Sequence, residues 1–186
     1  MRIISGSSKG KKIFIPADSK TRPLRDMVKE SIFNLIKHSK NIRLNIENSN
    51  ILDLFSGSGS FGLECISRGA KKVTFIENYP SILSILKKNI NLLDAVTSTY
   101  IIEKNCFDIL KSKKFLNSTF DIIFLDPPFK ERRIGLLLQR IKEINILKEN
   151  GIIILHKSKK DNEDLNENLN IIDQRTYGIS KIIIGN

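Results

Sequence analysis

The feature that most constrains this fold is the alternation of strand-like and helix-like apolar segments after residue 50. This order is typical of a mostly parallel sheet with helices on both faces. We predict seven strands, with a final antiparallel pair, in the segments NILDLF, KKVTFIE, TYIIE, FDIIFL, GIIILH, LNIIDQ and YGISKIIIG. In such sheets ligands bind outside the carboxyl ends of the strands, so those ends are where a site is expected.

Residues 1–43 precede this pattern and form a predicted arm. Two short strand candidates, RII and KIFI, flank the turn SGSSKGK, which indicates a small hairpin. The segment TRPLRDMVKESIFNLIKHS predicts a helix with Pro23 in its first turn. A polar linker, KNIRLNIENSN, then leads to the predicted catalytic domain at residues 50–186.

The net charge of +11 is concentrated in this arm. Residues 1–43 carry 11 Lys and Arg against three Asp and Glu, whereas the other 143 residues carry a net charge of only +3. A basic arm ahead of a near-neutral body indicates a polyanionic partner, most simply a nucleic acid. The alternative is a lysine-rich composition without a partner, but a compositional bias would distribute lysine evenly.

Several protein classes are not expected. The sequence has no run of 18 apolar residues and no apolar leader at its start, so we expect neither a membrane protein nor a secreted one. Its two cysteines, Cys65 and Cys106, form no CxxC pair and no cluster with metal-ligand spacing. We therefore predict reduced thiols, a cytoplasmic location and no bound metal. Separately, we expect a monomer.

The first strand leads into a glycine-rich turn in LDLFSGSGSFG. Gly57 and Gly59 allow a tight turn and close approach of a ligand to the backbone. By itself this turn fits either a nucleotide-phosphate site or an ordinary strand-to-helix connection. Asp53 favours a third possibility, because a carboxylate at that turn repels a pyrophosphate and attracts a cationic amino or sulfonium group.

The next two strands also end in polar residues. Glu77, in TFIEN, lies 18 residues after Gly59, near the spacing at which an acid binds ribose hydroxyls; a surface glutamate is the alternative. In EKNCFDIL, Asn105 could reach the amino edge of an adenine and Cys106 could form an apolar wall. A purely structural loop, with Asp108 capping the short helix, fits that segment equally well.

The fourth strand ends in DPPF. A methyl donor requires an aligned nucleophile, and two acceptors aimed at the N–H bonds of an exocyclic amine would localise its lone pair. The Asp126 carboxylate and a carbonyl fixed by Pro127 and Pro128 could supply both acceptors. Phe129 could stack on the base that carries the amine. A tight turn capped by Asp126 is the structural alternative.

Together these stretches resemble S-adenosylmethionine-dependent methyltransferases that act on exocyclic amines. LDLFSGSGSFGLE, FIEN and LDPPF are similar to the cofactor and catalytic motifs of that class, which includes N6-adenine and N2-guanine enzymes. MRIISGSSKGKKIFIP followed by TRPLRDMVKESIFN resembles the RsmD family, bacterial enzymes that methylate guanine N2 in 16S ribosomal RNA. The resemblance covers nearly the whole chain and implies a Rossmann-like class I methyltransferase fold.

The resemblance also implies roles for individual residues. The S-adenosylmethionine site would comprise Arg22, Asp53, Phe55, Gly57, Gly59, Glu77, Asn78, Asn105 and Cys106. The target base would be held by Asp126, Pro127, Pro128 and Phe129. From the charge pattern we predict RNA contacts at Arg2, Lys9, Lys11, Lys12, Arg25, Lys29, Lys130, Arg132 and Arg133. Arg132 and Arg133 could equally belong to a solvated helix start.

Three positions depart from the family pattern. Leu24 and Arg25 stand where members usually have small hydroxyl residues. The fifth strand ends in His156, where an acid is frequent. We assign His156 no catalytic role, because methyl transfer to an amine needs no strong base.

The sequence thus leads to one main hypothesis and two alternatives. The main hypothesis is methylation of a guanine N2 amine in 16S rRNA of the small ribosomal subunit, since an ionised Asp126 can accept from the adjacent N1–H and N2–H groups of guanine. One alternative is an N6-adenine DNA methyltransferase, for which this chain leaves little room for a target-recognition region. The other is a non-catalytic RNA-binding ribosome-assembly factor.

Overall fold

The computed structural model describes residues 1–16, 24–112, 115 and 118–186 of the chain. Its helices are α1 (Asp26–His38), α2 (Ser60–Ser67), α3 (Pro80–Leu92), α4 (Cys106–Lys111) and α5 (Ile134–Glu143). Its strands are β1 (Asn50–Asp53), β2 (Lys72–Ile76), β3 (Thr99–Ile102), β4 (Phe120–Leu125), β5 (Leu147–Ser158), β6 (Ile171–Tyr177) and β7 (Ser180–Gly185). No helix within these ranges is long and apolar enough to cross a membrane.

The strands form one seven-stranded sheet in the order β3-β2-β1-β4-β5-β7-β6. The first five strands pair in parallel, and β7 pairs antiparallel with both β5 and β6. This confirms the predicted mostly parallel sheet. The strand order changes direction between β1 and β4, so the crevice between their carboxyl ends is where a ligand is expected.

β1 ends at Asp53, two residues before the end of the predicted segment NILDLF, and the largest differences from the predicted boundaries are in β5 and β6. β5 begins at Leu147 rather than Gly151, because Phe120 pairs with Leu147 across a register shift in the β4–β5 ladder. β6 extends to Tyr177, and Gly178, at φ 59°, belongs to the turn that precedes β7. A positive φ at glycine is what a tight hairpin turn between twisted strands requires.

Side chains alternate between the two faces of the sheet, and each face has its own apolar cluster. Helices α4 and α5 cover one face, where Leu52, Ile123 and Leu155 point. The N-terminal segment, α1, α2 and α3 cover the other, where Ile51 and Phe124 point. The predicted arm therefore packs directly on the body.

An aromatic stack joins α1 to the sheet. The Phe61 ring lies 5.4 Å from the Phe33 ring and 4.0 Å from the Phe124 ring, both stacked. Phe124 is two residues before Asp126, so α1 is supported on the strand that delivers the predicted catalytic turn. Contacts of this kind contribute about 0.5–1.5 kcal/mol each beyond the burial of area.

The predicted N-terminal hairpin has its turn but only one strand bridge, between Arg2 and Lys12. Its two segments are joined by backbone bonds from the Ile3 N–H to the Lys11 carbonyl and from the Ile13 N–H to the Met1 carbonyl, at 2.9 and 3.1 Å. Other backbone donors, at and before the turn, go to α2. Ile4 and Ser5 donate to the Glu64 carboxylate at 2.7 and 3.0 Å, and Ser7 donates to the Ser67 carbonyl at 2.7 Å. Acceptors on the neighbouring helix α2 thus supplement a short ladder between the two segments.

Candidate active site

The structure brings the predicted strand-end residues to one edge of the sheet. Asp53 ends β1, Glu77 follows β2, Asn105 follows β3 and Asp126 follows β4. The alternation of side chains places Asp53 and Asp126 on the face that α1 and α2 cover, because their neighbours Ile51 and Phe124 belong to that cluster. The two carboxylates are close enough that Asp126 raises the pKa of Asp53.

Asp53 is a buried carboxylate without a hydrogen-bond partner among the described residues. It is 1% exposed, and neither of its oxygens accepts a hydrogen bond of good geometry. Burial, followed by repulsion from Asp126, raises its pKa well above the usual value; the nearby Gly62 N–H opposes the rise. A buried acid with two unpartnered oxygens is costly unless a ligand pairs with it, so this site suits a cationic group.

The glycine-rich turn is connected to Glu77. Gly57 and Gly59 have φ angles of 54° and 83°, which favour glycine. A Cβ added to Gly57 would meet open space, whereas one added to Gly59 would lie 2.5 Å from Leu86. The Gly57 N–H donates to Glu77 Oε2 at 2.9 Å. The space beside Gly57 is thus free of protein atoms, whereas Gly59 is packed closely against Leu86 of α3.

Glu77 also accepts from two backbone donors of its own loop. Its Oε1 accepts the N–H groups of Asn78 and Tyr79, both at 2.9 Å. With the bond from Gly57, three of the roughly four acceptor positions of a carboxylate are in use. Two ribose hydroxyls would therefore have to replace at least one of these backbone bonds.

Asn105, not Asp108, caps helix α4. Its Oδ1 accepts the Phe107 N–H at 2.9 Å, while its backbone is extended. Cys106 follows it and is buried, and burial raises the pKa of its thiol to about 12. The predicted apolar wall at Cys106 requires an uncharged thiol of this kind, and it stays a prediction together with the adenine contact of Asn105.

The DPPF turn leaves β4 at the same edge. The Pro128 carbonyl accepts the Glu131 N–H at 2.8 Å, which closes the turn. Pro127 is buried, and Phe129 is half-buried with its ring edge-on to the His156 ring at 6.0 Å. Asp126 is partly buried, with 18% of its side chain exposed.

His156 is the residue that sequence reasoning set aside and the structure brings into the site. Its Nδ1 lies 2.7 Å from Asp126 Oδ1. No sequence signal could show this pair, since the residues are 30 positions apart and meet only through the β4–β5 register. That register pairs Leu125 with Leu155, the residues that directly precede Asp126 and His156.

The prediction that Lys29 contacts RNA is wrong. Its side chain is fully buried, and its Nζ donates to the Arg2 carbonyl at 2.7 Å and lies 3.4 Å from Glu64 Oε2. Burial lowers its pKa. The helical period indicates this position, because Lys29 shares the core-facing stripe of Val28, Ile32 and Phe33. The neighbouring Met27, although apolar, is 61% exposed.

Glu64 is a second residue whose role the sequence did not show, although it lies in the motif LDLFSGSGSFGLE. It is fully buried in α2 and accepts from Arg68 Nε at 2.8 Å as well as from the N-terminal backbone. Asn89 of α3 makes a similar connection, because its amide bonds both the backbone of Phe14 and the Ser58 carbonyl. These buried polar groups hold the arm against the glycine-rich turn.

The other predicted RNA contacts are exposed, at Arg2, Lys9, Lys11, Lys12, Arg25, Lys130, Arg132 and Arg133. Arg133 pairs with both oxygens of Glu131 at 2.8 Å, lowering the pKa of that carboxyl, and its guanidinium lies 4.0 Å from the centre of the Phe107 ring. Arg132 lies 3.9 Å from Asp161. Arg22 is outside the described residues.

Comparison with known proteins agrees with this fold. The solved structure of yhhF from Escherichia coli superposes with a TM-score of 0.83 at 26% identity, covering 100% of this chain and 96% of that one. HI0767 from Haemophilus influenzae superposes at 0.77 and 34% identity, covering 99% and 96%. A more distant neighbour, SMU.776, was solved in complex with SAH (TM-score 0.65, 18% identity, covering 84% and 48%).

Fold and site together define the class as an S-adenosylmethionine-dependent methyltransferase with a Rossmann-like fold. Within that class, the chain belongs to the RsmD family. The sequence model of this family, described as "Conserved hypothetical protein 95", matches residues 1–186. Ribosomal RNA small subunit methyltransferase D of Haemophilus influenzae is 35% identical over 180 residues, which are 96% of this chain and 90% of that protein. The Escherichia coli protein of the same name is 34% identical over 151 residues, 81% and 68%.

Proposed function

We propose that this protein transfers a methyl group from S-adenosylmethionine to the exocyclic N2 amine of a guanine in 16S rRNA of the small ribosomal subunit. The observation that carries the proposal is the pair of carboxylates at one sheet edge. Buried Asp53 lacks a partner among the described residues, and Asp126 lies close enough to raise its pKa. The relatives named for small-subunit rRNA methylation, together with the basic arm, support RNA as the substrate.

On the cofactor side, bound S-adenosylmethionine supplies a methyl group made electrophilic by its sulfonium. Asp53 would hold the cationic methionine end at the Gly57–Gly59 turn, since its buried oxygens need such a partner. Glu77 would accept the ribose hydroxyls in place of a backbone N–H. Phe55, Asn78, Asn105 and Cys106 would line the rest of the pocket.

On the substrate side, Asp126 and the proline turn would hold the amine. Asp126 accepts one amine N–H, and the Pro127 carbonyl accepts the other, because the Pro128 carbonyl already bonds Glu131. The amine lone pair then points at the methyl group as the new C–N bond forms and the S–C bond breaks. The surplus proton leaves the methylated amine afterwards and needs no strong base.

A nucleoside digest of ribosomal RNA tests the proposal. RNA from a deletion strain, the same strain with the wild-type gene, and the same strain with Asp126→Ala would be compared by mass spectrometry. We expect one N2-methylguanosine site to disappear on deletion and to return only with the wild-type gene. Unchanged N2-methylguanosine at every site, or a new loss of N6-methyladenosine from DNA, would contradict it.

The form of the substrate is part of the same proposal. We infer that the enzyme acts in the cytoplasm as a monomer, on RNA in an assembled or assembling small subunit. Purified protein, radiolabelled cofactor and either naked 16S rRNA or isolated subunits from the deletion strain would be compared. Faster methylation of subunits is expected, and methylation of DNA instead of either would contradict RNA as the substrate.

Phe129→Ala is expected to weaken binding of the target RNA while leaving cofactor affinity near its wild-type value. The half-buried ring sits beside Asp126 in the turn, where it can stack on the base, and base–aromatic stacking contributes about 1–3 kcal/mol. The measurement is the KM for RNA, with Phe129→Tyr as the control that keeps the stacking surface. Full activity of the alanine variant would contradict a stacking role.

Replacing Lys12 and Arg25 together with alanine is expected to weaken RNA binding and flatten its salt dependence. Both side chains are exposed, Lys12 opposite Arg2 and Arg25 at the start of α1. Each lost phosphate contact lowers the log–log salt slope by about 0.7 for single-stranded RNA. Lys71→Ala with Lys142→Ala is the matched control, since both lie exposed at the opposite sheet edge. Equal slopes for the two pairs would contradict the predicted role of the arm.

A further inference from the structure

The hydrogen bond between His156 and Asp126 has a role beyond packing. We propose that His156 is a positioning residue, which holds the Asp126 carboxylate in the orientation that accepts the target amine. The inference rests on the proposed function, because it concerns the acceptor that the reaction uses. The tautomer of the His156 imidazole can also be measured without any substrate.

The bond has a defined direction. An ionised carboxylate can only accept, so the 2.7 Å contact requires a hydrogen on His156 Nδ1. The other nitrogen, Nε2, is buried and has no partner among the described residues. A second N–H, on Nε2, would be a buried donor without an acceptor among the described residues, which is costly. The geometry therefore points to the neutral imidazole that carries its hydrogen on Nδ1.

This arrangement leaves one carboxylate oxygen for the substrate. His156 occupies Oδ1 of Asp126, and Oδ2 remains as the acceptor for an amine N–H. Without the imidazole, repulsion from Asp53 in its ionised, cofactor-bound form would favour a rotation of the Asp126 side chain away from the cofactor pocket. A hydrogen bond to a fixed neighbour opposes that rotation and lowers the reorganisation needed during reaction.

The support behind His156 is rigid on both sides. Its backbone lies in the sheet, with Ile182 of β7 as its register partner. The next residue, Lys157, is buried and pairs with Asp161 at 3.0 Å and Glu163 at 3.4 Å. Glu163 in turn accepts the Gly135 N–H at the start of α5, at 3.1 Å. The end of β5 is therefore tied to the helix that follows the catalytic turn.

Three substitutions distinguish the roles of the two ring nitrogens of His156. The side-chain nitrogen of asparagine can take the place of Nδ1, the amide end of glutamine reaches the place of Nε2, and phenylalanine keeps the ring shape without either. We expect His156→Asn to retain most of the wild-type kcat. His156→Gln and His156→Phe are expected to lower kcat about 10- to 100-fold, as for the loss of a hydrogen bond to a charged group. The affinity for S-adenosylhomocysteine should stay unchanged in all three, which also reports that they fold.

A spectroscopic measurement tests the hydrogen bond directly. The chain has two histidines, and His38 is exposed at the end of α1, so ¹⁵N-histidine labelling gives one test signal and one internal control. Long-range ¹H–¹⁵N spectra distinguish the two neutral tautomers. We expect the Nδ1–H form at His156 in the wild type, a changed signal in Asp126→Ala, and an unchanged His38.

The outcomes separate this inference from the proposed function. A product other than N2-methylguanosine would overturn the proposed function, while the tautomer measurement would still test the hydrogen bond between His156 and Asp126. Equal kcat for wild type, His156→Gln and His156→Phe would overturn the positioning role. Activity retained by glutamine and lost with asparagine would overturn it too, because Nε2 would then be the working atom.

Discussion

Asp126→Ala is expected to lower kcat for methyl transfer by about 10²–10³-fold, the usual effect of removing one preorganised hydrogen-bond partner of a transition state. Asp126 is held by His156 and stands at the sheet edge beside the cofactor pocket. The affinity for S-adenosylhomocysteine should not fall, since removing this charge relieves the repulsion that raises the pKa of Asp53. Single-turnover methylation and calorimetric binding measure the two quantities separately.

Asp126→Asn is the informative control for that experiment. The amide oxygen can keep the bond from His156 Nδ1, which turns the amide nitrogen towards the amine of the substrate. Two donors then face each other, so the asparagine variant should be about as slow as the alanine variant despite its similar shape. A nearly wild-type rate for asparagine would show that the negative charge and the second acceptor oxygen of Asp126 are dispensable.

The positions of the strand-end residues could be predicted from the sequence because they depend on local pattern. The apolar run of β4 stops at Asp126, and the predicted first strand NILDLF contains Asp53, two residues before its end; parallel strands bring such ends together. Gly57 and Gly59 likewise have the positive φ angles expected of their turn. Each of these inferences needs only the residues within one or two elements.

What the sequence could not show depends on register between distant segments. Asp126 meets His156 through the pairing of β4 with β5, and Glu64 accepts the backbone of Ile4 across 60 positions. The same limit explains the error at Lys29. Its charge indicated a surface residue, but the stripe it shares with Ile32 faces the sheet, and Glu64 provides the buried partner that makes this tolerable.

Asp53→Asn is expected to weaken cofactor binding while stabilising the protein without cofactor. The neutral amide of the variant cannot form an ion pair with a cationic group, and losing one partner of a buried charge pair costs about 2–5 kcal/mol, or at least roughly 30-fold in Kd. Calorimetry with S-adenosylhomocysteine measures this loss. In the wild type the ligand should also displace a proton, because pairing with a cation favours the ionised form of a carboxyl whose pKa burial has raised.

The effect on stability follows from the same pKa, with a definite sign. A carboxyl whose pKa is higher in the folded than in the unfolded state binds an extra proton on folding, so the free energy of unfolding falls as pH rises from about 4 through the folded pKa. Asparagine does not titrate. The Tm advantage of Asp53→Asn should therefore be small near pH 4 and grow towards pH 8. A Tm difference independent of pH, or a wild type that binds ligand without releasing protons, would show that Asp53 is already ionised and paired within the protein.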